Sequence, residues 1–380
     1  MKREHIVYLG PFSFPNGGAA ARRILGVSKS LILSGKKVTI ASGQKKSDYN
    51  HEAYQGIDVV SIGERTAEHL PNAIKHLKYF NMGSKTVDWL NSLVDKPTCI
   101  ILYSGYSPYL IRLIPWCQNH NVKLVFDAVE WYQGENIIKH CLSPYYLNIE
   151  LAMRKLIPKT GNVIAISDYL KEYYESKGCN VIKIPPTLDL PEISHVYKND
   201  DLIKFVYCGV PGKKDLLWKV IKVLGGLNKL GYKFEYHIAG ITLKDAKLLY
   251  SGDLSFCVFH GRLSFEDVQH LIKSCHYTIL FRPDNRVSKA GFSTKVVESM
   301  ANGVPVITNN TSDLSSIIID GFNGFIFDGF SERDINLKLE YILSINYSSE
   351  MSKAVYETAK KKFSYHSYSA EINDFLKRCK

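Results

Sequence analysis

Short apolar runs alternate with helix-length amphipathic stretches along the chain, the pattern of βαβ units that build a parallel sheet. HIVYLG, centred on Ile6–Gly10, reads as a first strand, GGAAARRILGVSKSLILSGKK as a helix, and KVTIAS, from Val38, as a second strand. Further strands are expected at Ile100–Tyr103, Val122–Phe126, Val163–Ile166 and Val181–Ile184, with helices such as PYLIRLIPWCQNH and SDYLKEYYESKG between them. In the latter helix Ser167 is expected to cap the N-terminus and Gly178 to mark the stop.

The alternation breaks at PPTLDLPEISHVYKNDD, where Pro185, Pro186 and Pro191 exclude a central strand or a helix. It restarts with LIKFVYCG, KKDLLWKVIKVLGGLNKLG, KFEYHIAG, LSFCVFHG, SFEDVQHLIKSC and YTILFR. The second half repeats the architecture of the first without its sequence. The expectation is an α/β chain of two Rossmann-like, doubly wound domains facing across a ligand-binding cleft. The first spans residues 1–185, a linker 186–200, the second 201–362, and a terminal helix 363–380 packs on one of them.

Composition narrows this picture. At 380 residues, 45% hydrophobic and 22% charged, the chain can fill two cores. No stretch approaches the roughly 18 apolar residues of a spanning helix, and a strand that starts almost at once leaves no room for a signal peptide. The eight cysteines are scattered without a CxxC pair, as expected for reduced thiols in a cytosolic protein without a metal site. A net charge of +11 favours anionic partners. The basic residues form no continuous block, so nucleic acid is left with net charge alone as support.

Two glycine-rich turns carry candidate chemistry. In PFSFPNGGAAARR, Gly17 and Gly18 precede a helix whose positive end faces the loop, although a structural turn explains such a pair equally well. The loop is not GxGxxG and no acid ends the second strand, which disfavours a dinucleotide. SKAGFSTKVVESMANGVPVITNN is richer. Its AGFST turn opens a helix at Thr294–Ala301, and free amides at such a start suit a diphosphate. Lys295 lies in the first turn, a poor place for a cation unless an anion is near. Glu298 follows at i+3 and is suited to accept both hydroxyls of a ribose; an exposed Lys295–Glu298 ion pair is the bland alternative. Asn302-Gly303 stops the helix.

This stretch resembles the donor-site signature of the family 4 glycosyltransferases, which have the GT-B fold. FVYCGVPGKKDLLWKVIKVL is similar to the family's strand, glycine and lysine loop, FHGRLSFEDVQHLIKSCHYTILF to its Gly-Arg-hydrophobic-Ser stretch, and DGFNGFIFD to its Asn-Gly turn. The resemblance implies that Glu298 holds the donor ribose and that Gly291, Phe292, Ser293 and Thr294 meet diphosphate and sugar. It implies further that Lys214, or its neighbour Lys213, neutralises the leaving group beside Gly209, that Gly17 and Gly18 close over the donor, and that Arg262 and Leu263 run along the base. Two positions depart from the pattern. Ala290 stands where the first motif glutamate falls, and Val210 replaces an arginine after Gly209; Arg282 or Lys295 is expected to supply that charge.

The resemblance also implies retention of configuration during transfer of a hexosyl or N-acetylhexosaminyl group from a nucleotide sugar such as a UDP-sugar. No Asp-x-Asp pair is present, so cations and helix amides are expected to act without metal or other cofactor. Asp127 and Glu130 sit at a predicted strand end, where Asp127 resembles an acceptor-site position or serves as a helix cap. Trp131, Tyr132, Tyr145 and Tyr146 are candidates to stack on sugars. PNAIKHLKYFNMGSKTVDWL mixes Lys75, Lys78 and Lys85 with Leu77, Tyr79, Phe80 and Trp89, as a packed amphipathic helix or as a basic face for anionic lipid. The expected partners are a nucleotide-sugar donor and a glycan, lipid-linked in a peripheral-membrane setting on the cytoplasmic side, in cell-surface polysaccharide synthesis. A nucleotide-sugar 2-epimerase of the same fold and a non-catalytic nucleotide- or glycan-binding module are the competing readings.

Overall fold

A computed structural model describes residues 3–45, 52–64, 79–134, 137–190, 202–212, 214–345 and 347–380. The chain divides into two compact units. The first comprises Met1–Leu188, Ala290–Phe292 and Tyr365–Lys380, and the second Asp189–Lys289 and Ser293–Ser364. The division falls inside the expected 186–200 linker, most of which lies outside the described residues, as do Lys75, Leu77, Lys78 and Lys213.

The first unit holds an eight-stranded sheet. Its strands are β1 (His5–Gly10), β2 (Lys37–Ser42), β3 (Ala53–Tyr54), β4 (Ile57–Ser61), β5 (Cys99–Tyr103), β6 (Lys123–Ala128), β7 (Asn162–Ala165) and β8 (Asn180–Lys183). They lie in the order β3-β4-β2-β1-β5-β6-β7-β8, all parallel except the β3–β4 pair. Helices cover both faces of such a sheet, so its central strands carry near-continuous apolar runs; Ile6–Leu9, Ile100–Leu102 and Val163–Ala165 are all buried. The helix Gly18–Leu33 turns Ala21, Ile24, Val27, Ser28 and Leu31 inward at the three- and four-residue spacing of one helix face. At Gly26 it runs so close to Thr187 that a Cβ would collide with that residue. Ser167 does cap the helix Asp168–Glu175, its hydroxyl accepting from the Leu170 N–H, and Gly178 follows with a φ of 76°.

The chain's last segment returns to this first unit. It is a 3₁₀ turn at Tyr365–Tyr368 followed by the helix Ser369–Arg378, instead of one helix from 363. Ile372, Phe375, Leu376 and Cys379 enter the same core as Ile6, Ile24 and Val38. Lys123 Nζ donates to the Leu376 carbonyl (2.9 Å) and Ser30 Oγ to that of Tyr365 (2.7 Å).

The second unit holds a six-stranded parallel sheet of β9 (Ile203–Cys208), β10 (Phe234–Ala239), β11 (Cys257–Gly261), β12 (Tyr277–Leu280), β13 (Val306–Asn309) and β14 (Gly324–Phe327). The order is β11-β10-β9-β12-β13-β14. From β9 the chain winds out to β10 and β11, then crosses back to β12 on the other side of β9. Such a reversal leaves a crevice at the carboxyl ends of the two central strands, where doubly wound sheets bind ligands.

Candidate active site at the β9–β12 switch point

Strand β9 ends at Cys208 and passes into Gly209, whose N–H donates to the Ala239 carbonyl (2.9 Å) and whose φ of 150° only glycine adopts without strain. The loop that follows is pinned at its far end by the Leu216 N–H, which donates to the Phe281 carbonyl (2.8 Å) just beyond β12. Between these anchors Asp215 turns inward, its side chain only 5% exposed.

Three donors converge on that carboxylate. Lys295 Nζ lies 2.8 Å from Oδ2, Arg282 Nε 3.2 Å from Oδ1, and the Tyr207 hydroxyl donates to Oδ2 at 2.8 Å. Burial alone would push the Asp215 carboxyl up. The Lys295 and Arg282 charges and the hydrogen bonds from Lys295 and Tyr207 overcome it and hold the group below its ordinary value. The same burial and the neighbouring carboxylate push the Tyr207 phenol up. Arg282 is held by its own backbone as well: its N–H donates to Asn309 Oδ1 and its carbonyl accepts from Asn309 Nδ2 (2.9 and 2.8 Å). Lys295 reaches Asp215 by passing its stem across Gly209, where an added methyl would drive into Lys295 Cε. The Lys295 ammonium also lies 5.3 Å from the centre of the Tyr207 ring.

Lys295 belongs to the helix Thr294–Ala301, which occupies the expected residues and stops at Asn302-Gly303. Ser293 stands at its N-cap but makes no capping bond, and no acidic residue lies in the first turn. The Ser293 hydroxyl is buried without a partner. An uncapped helix start leaves its first N–H groups without intrahelical acceptors, next in sequence to a buried, unpartnered hydroxyl and to the cation that pairs with Asp215. Glu298 is 6% exposed, which removes the bland alternative of an exposed ion pair: Lys295 pairs with Asp215. Ala290 and Phe292 are buried before the helix, as is Gly291, and Thr294 is half-buried. Lys214 is half-buried beside Asp215 in sequence, and Val210 is exposed.

Other expected site residues fall elsewhere. Arg262 and Leu263 follow β11, the outermost strand on its side of the sheet, with Arg262 exposed. Gly17 and Gly18 open the helix Gly18–Leu33 in the first unit. A Cβ on Gly17 would meet the Ser13 carbonyl, and Gly18 has a φ of 62°. That helix also starts without a capping side chain or an acid in its first turn.

Asp127 needs correction. It does not face an acceptor, nor does it cap a helix: it is fully buried on β6. Arg23 Nε lies 3.1 and 2.9 Å from its two oxygens and Nη2 2.6 Å from Oδ1, and the Tyr8 hydroxyl donates to Oδ2. Arg23 Nη1 donates to the Ile184 carbonyl (2.8 Å) and that of Pro185 (3.3 Å), tying the end of β8 into the same knot. A carboxylate this enclosed survives because it is paired. Burial, and then Asp127, push the Tyr8 phenol well up. Trp131 is likewise no sugar platform. It is buried, with Nε1 donating to Glu150 Oε1 (3.0 Å), the Arg154 guanidinium 5.0 Å from the ring centre and Tyr173 edge-on at 4.7 Å. Tyr145 is 43% exposed and packs edge-to-face on Tyr146.

Among the described residues no group of three or more His, Cys, Asp or Glu side chains could hold a metal ion, and no helix is long and apolar enough to cross a membrane.

Residues 192–362, nearly all of the second unit, match the family model of glycosyl transferases group 1. An uncharacterized glycosyltransferase of Methanocaldococcus jannaschii is 30% identical over 216 residues, covering 54% of this chain and 56% of that protein. The chain thus spans little more than half the length of the curated relative it matches. Among solved structures, sucrose-phosphate synthase of Thermosynechococcus elongatus superimposes with a TM-score of 0.70 at 13% identity, covering 99% of each chain. HepE of Anabaena, solved in complex with UDP-glucose, gives 0.67 at 15% identity over 98% of this chain and 99% of that one. TarM gives 0.75 at 11% identity over 98% of both. At these identities the likeness establishes the fold: two Rossmann-like parallel-sheet domains of GT-B type.

Proposed function

We propose that this protein is a glycosyltransferase that holds a nucleotide-sugar donor at the β9–β12 switch point of its second unit. The observation that carries the reading is the meeting of Lys295 and Arg282 at Asp215, with Lys295 in the first turn of an uncapped helix whose N-cap Ser293 keeps an unpartnered hydroxyl. Such a set suits a diphosphate and has little to offer a neutral ligand. The match of residues 192–362 to glycosyl transferases group 1 supports it, as does the fold shared with a protein solved with UDP-glucose.

In this reading Glu298 holds the donor ribose, with Gly291, Phe292 and Thr294 against diphosphate and sugar. The bond between the sugar's anomeric carbon and the β-phosphate oxygen breaks while the bond from an acceptor hydroxyl forms. The hydroxyl proton passes to the departing phosphate on the same face, so configuration is retained. Charge grows on the β-phosphate as the bond lengthens, and preorganised cations and amides in a partly dehydrated site stabilise it by several kcal/mol. Lys295, Arg282 and Lys214 fill this role without a divalent ion. The transferred group is a hexosyl or N-acetylhexosaminyl unit, passed to a glycan acceptor met by the first unit, lipid-linked at the inner face of a membrane in surface-polysaccharide synthesis. With Asp127 locked inside, the acceptor meets other groups, of which Glu130, half-buried just past β6, is the nearest candidate in sequence.

A thermal-shift and donor-hydrolysis panel of UDP-, GDP- and ADP-sugars tests this, run with EDTA and on Glu298→Ala in parallel. The expected result is stabilisation by one base, lost in Glu298→Ala and indifferent to EDTA. No stabilisation by any nucleotide sugar overturns the donor site and leaves a glycan-binding module as the better reading. Inversion of the donor's 2-position without transfer identifies an epimerase.

A further inference from the structure

We propose that Asp215 is the positioning residue of the diphosphate subsite, fixing the Lys295 ammonium and the Arg282 guanidinium in place and cancelling one of their two charges. This rests on the donor-site reading above and concerns how that site avoids holding its diphosphate too well.

The geometry assigns the role. Oδ1 receives Arg282 and Oδ2 receives both Lys295 and Tyr207, so the carboxylate is shared by two cations on elements 67 and 80 residues away in sequence. Arg282 lies just past β12 and Lys295 in the first turn of the Thr294–Ala301 helix; Asp215 lies in the loop after β9. The three side chains come from three separate elements and meet at one carboxylate. The backbone makes room for the arrangement, since Gly209 lets the Lys295 stem through and the Leu216–Phe281 bond holds the Asp215 loop against β12. A cation in a helix's first turn is disfavoured by the dipole, and Asp215 is the anion that offsets it in the ligand-free protein.

The charge balance gives the consequence. The three side chains together carry one positive charge, whereas without Asp215 they would carry two. A nucleotide sugar and the nucleoside diphosphate it leaves are both strongly anionic. Extra positive charge would grip substrate, transition state and product alike, and uniform binding does not speed the chemical step. It would also slow product release, which limits many enzymes. Asp215 therefore moderates binding at rest while it keeps Lys295 where charge develops.

The test measures UDP, GDP and ADP binding by calorimetry on the wild type, Asp215→Asn, Asp215→Glu and Lys295→Met, with melting temperatures and with hydrolysis of UDP-glucose, GDP-mannose and ADP-glucose. Asn is isosteric but accepts with one oxygen only and carries no charge. In Asp215→Asn the diphosphate that the wild type binds is expected to bind about tenfold more tightly, while kcat falls; Asp215→Glu moves both back toward wild type. Lys295→Met weakens the same diphosphate. A merely structural Asp215 would instead show a lower melting temperature with weaker binding, and that result overturns the proposal. So does unchanged binding in Asp215→Asn when Lys295→Met is weakened, which leaves the donor site itself standing. If Lys295→Met binds as the wild type does, the cation is misassigned and the proposal falls. If none of the three diphosphates binds the wild type, the donor-site reading fails and takes this proposal with it.

Discussion

Replacing Arg23 by methionine tests what Asp127 is for. Arg23 is 3% and Asp127 0% exposed, and the guanidinium is the cation that pairs with both oxygens of that carboxylate. Methionine keeps most of the stem's volume but strands a carboxylate whose remaining partner is the Tyr8 hydroxyl, and frees the Ile184 and Pro185 carbonyls. Breaking a buried pair by removing one partner costs about 3–5 kcal/mol. For a unit of this size each kcal/mol shifts the melting point by about 2–4 °C, so Arg23→Met is expected to melt about 10 °C lower. Trp89, Trp116 and Trp131 lie in the first unit and Trp218 in the second, so tryptophan fluorescence during thermal or urea unfolding reports chiefly on the affected part. In Arg23→Met/Asp127→Asn the neutral amide keeps an acceptor for Tyr8, so the double variant should recover about 1–3 kcal/mol relative to the sum of the single changes. An Arg23→Met melting point equal to wild type, or strict additivity in the double variant, would refute the reasoning. Turnover at a temperature where the double variant is folded checks the correction independently: a catalytic Asp127 loses it and an architectural one keeps it.

Lys295→Met is expected to weaken nucleoside diphosphate binding by about 1.5–3 kcal/mol, the range of a hydrogen bond to a charged group, as read by calorimetry. Glu298→Gln should weaken UDP, GDP or ADP while leaving inorganic pyrophosphate unchanged, because a ribose contact is absent from pyrophosphate; equal losses for both would remove Glu298 from the ribose. Gly209→Ala places a methyl in the path of Lys295 at a left-handed φ, so it should lower diphosphate affinity as Lys295→Met does and add a backbone penalty of about 1–3 kcal/mol in stability. The folded Asp215 carboxyl titrates below its unfolded value of 3.8, so its contribution to stability is present above about pH 4 and disappears as pH falls through the depressed value. Melting temperature followed from pH 6 to pH 2.5 should therefore fall less steeply below pH 4 in Asp215→Asn than in the wild type.

The strands of both sheets were legible where burial on two faces makes an unbroken apolar run, as at Ile6–Leu9. β3 and β4 were not, because IDVVS lies toward the sheet's edge, its Asp58 is exposed, and two residues of β3 leave no period to read. The helix Thr294–Ala301 and its stop followed from local chemistry, since glycine, serine and Asn-Gly act within a few residues. Asp215 could not be found that way. Its partners lie on other elements, and sequence proximity suggested Glu298 as the partner of Lys295 where folding supplied Asp215. Asp127 failed for a related reason: a strand-end position tells how far along the sheet a residue lies but not that Arg23, 104 residues earlier, waits inside. The terminal helix showed its apolar face at Ile372, Phe375, Leu376 and Cys379 without showing which core it completes.

That last return has a consequence during synthesis. Strands β1–β8 leave the ribosome first, yet the hydrophobic core that they share with Ile24 and Val38 lacks one wall until the Ser369–Arg378 helix has been made. At about 5–20 residues per second, roughly 180 residues of the second unit separate these two events, a delay on the order of 10–40 s. The second unit, continuous in the chain except for one tripeptide, can close as it emerges, so the half translated last is the half that finishes folding first. A nascent or prematurely terminated chain therefore presents its N-terminal half with an open apolar seam beside β8 and the Gly18–Leu33 helix, and it is there that a chaperone would find its grip.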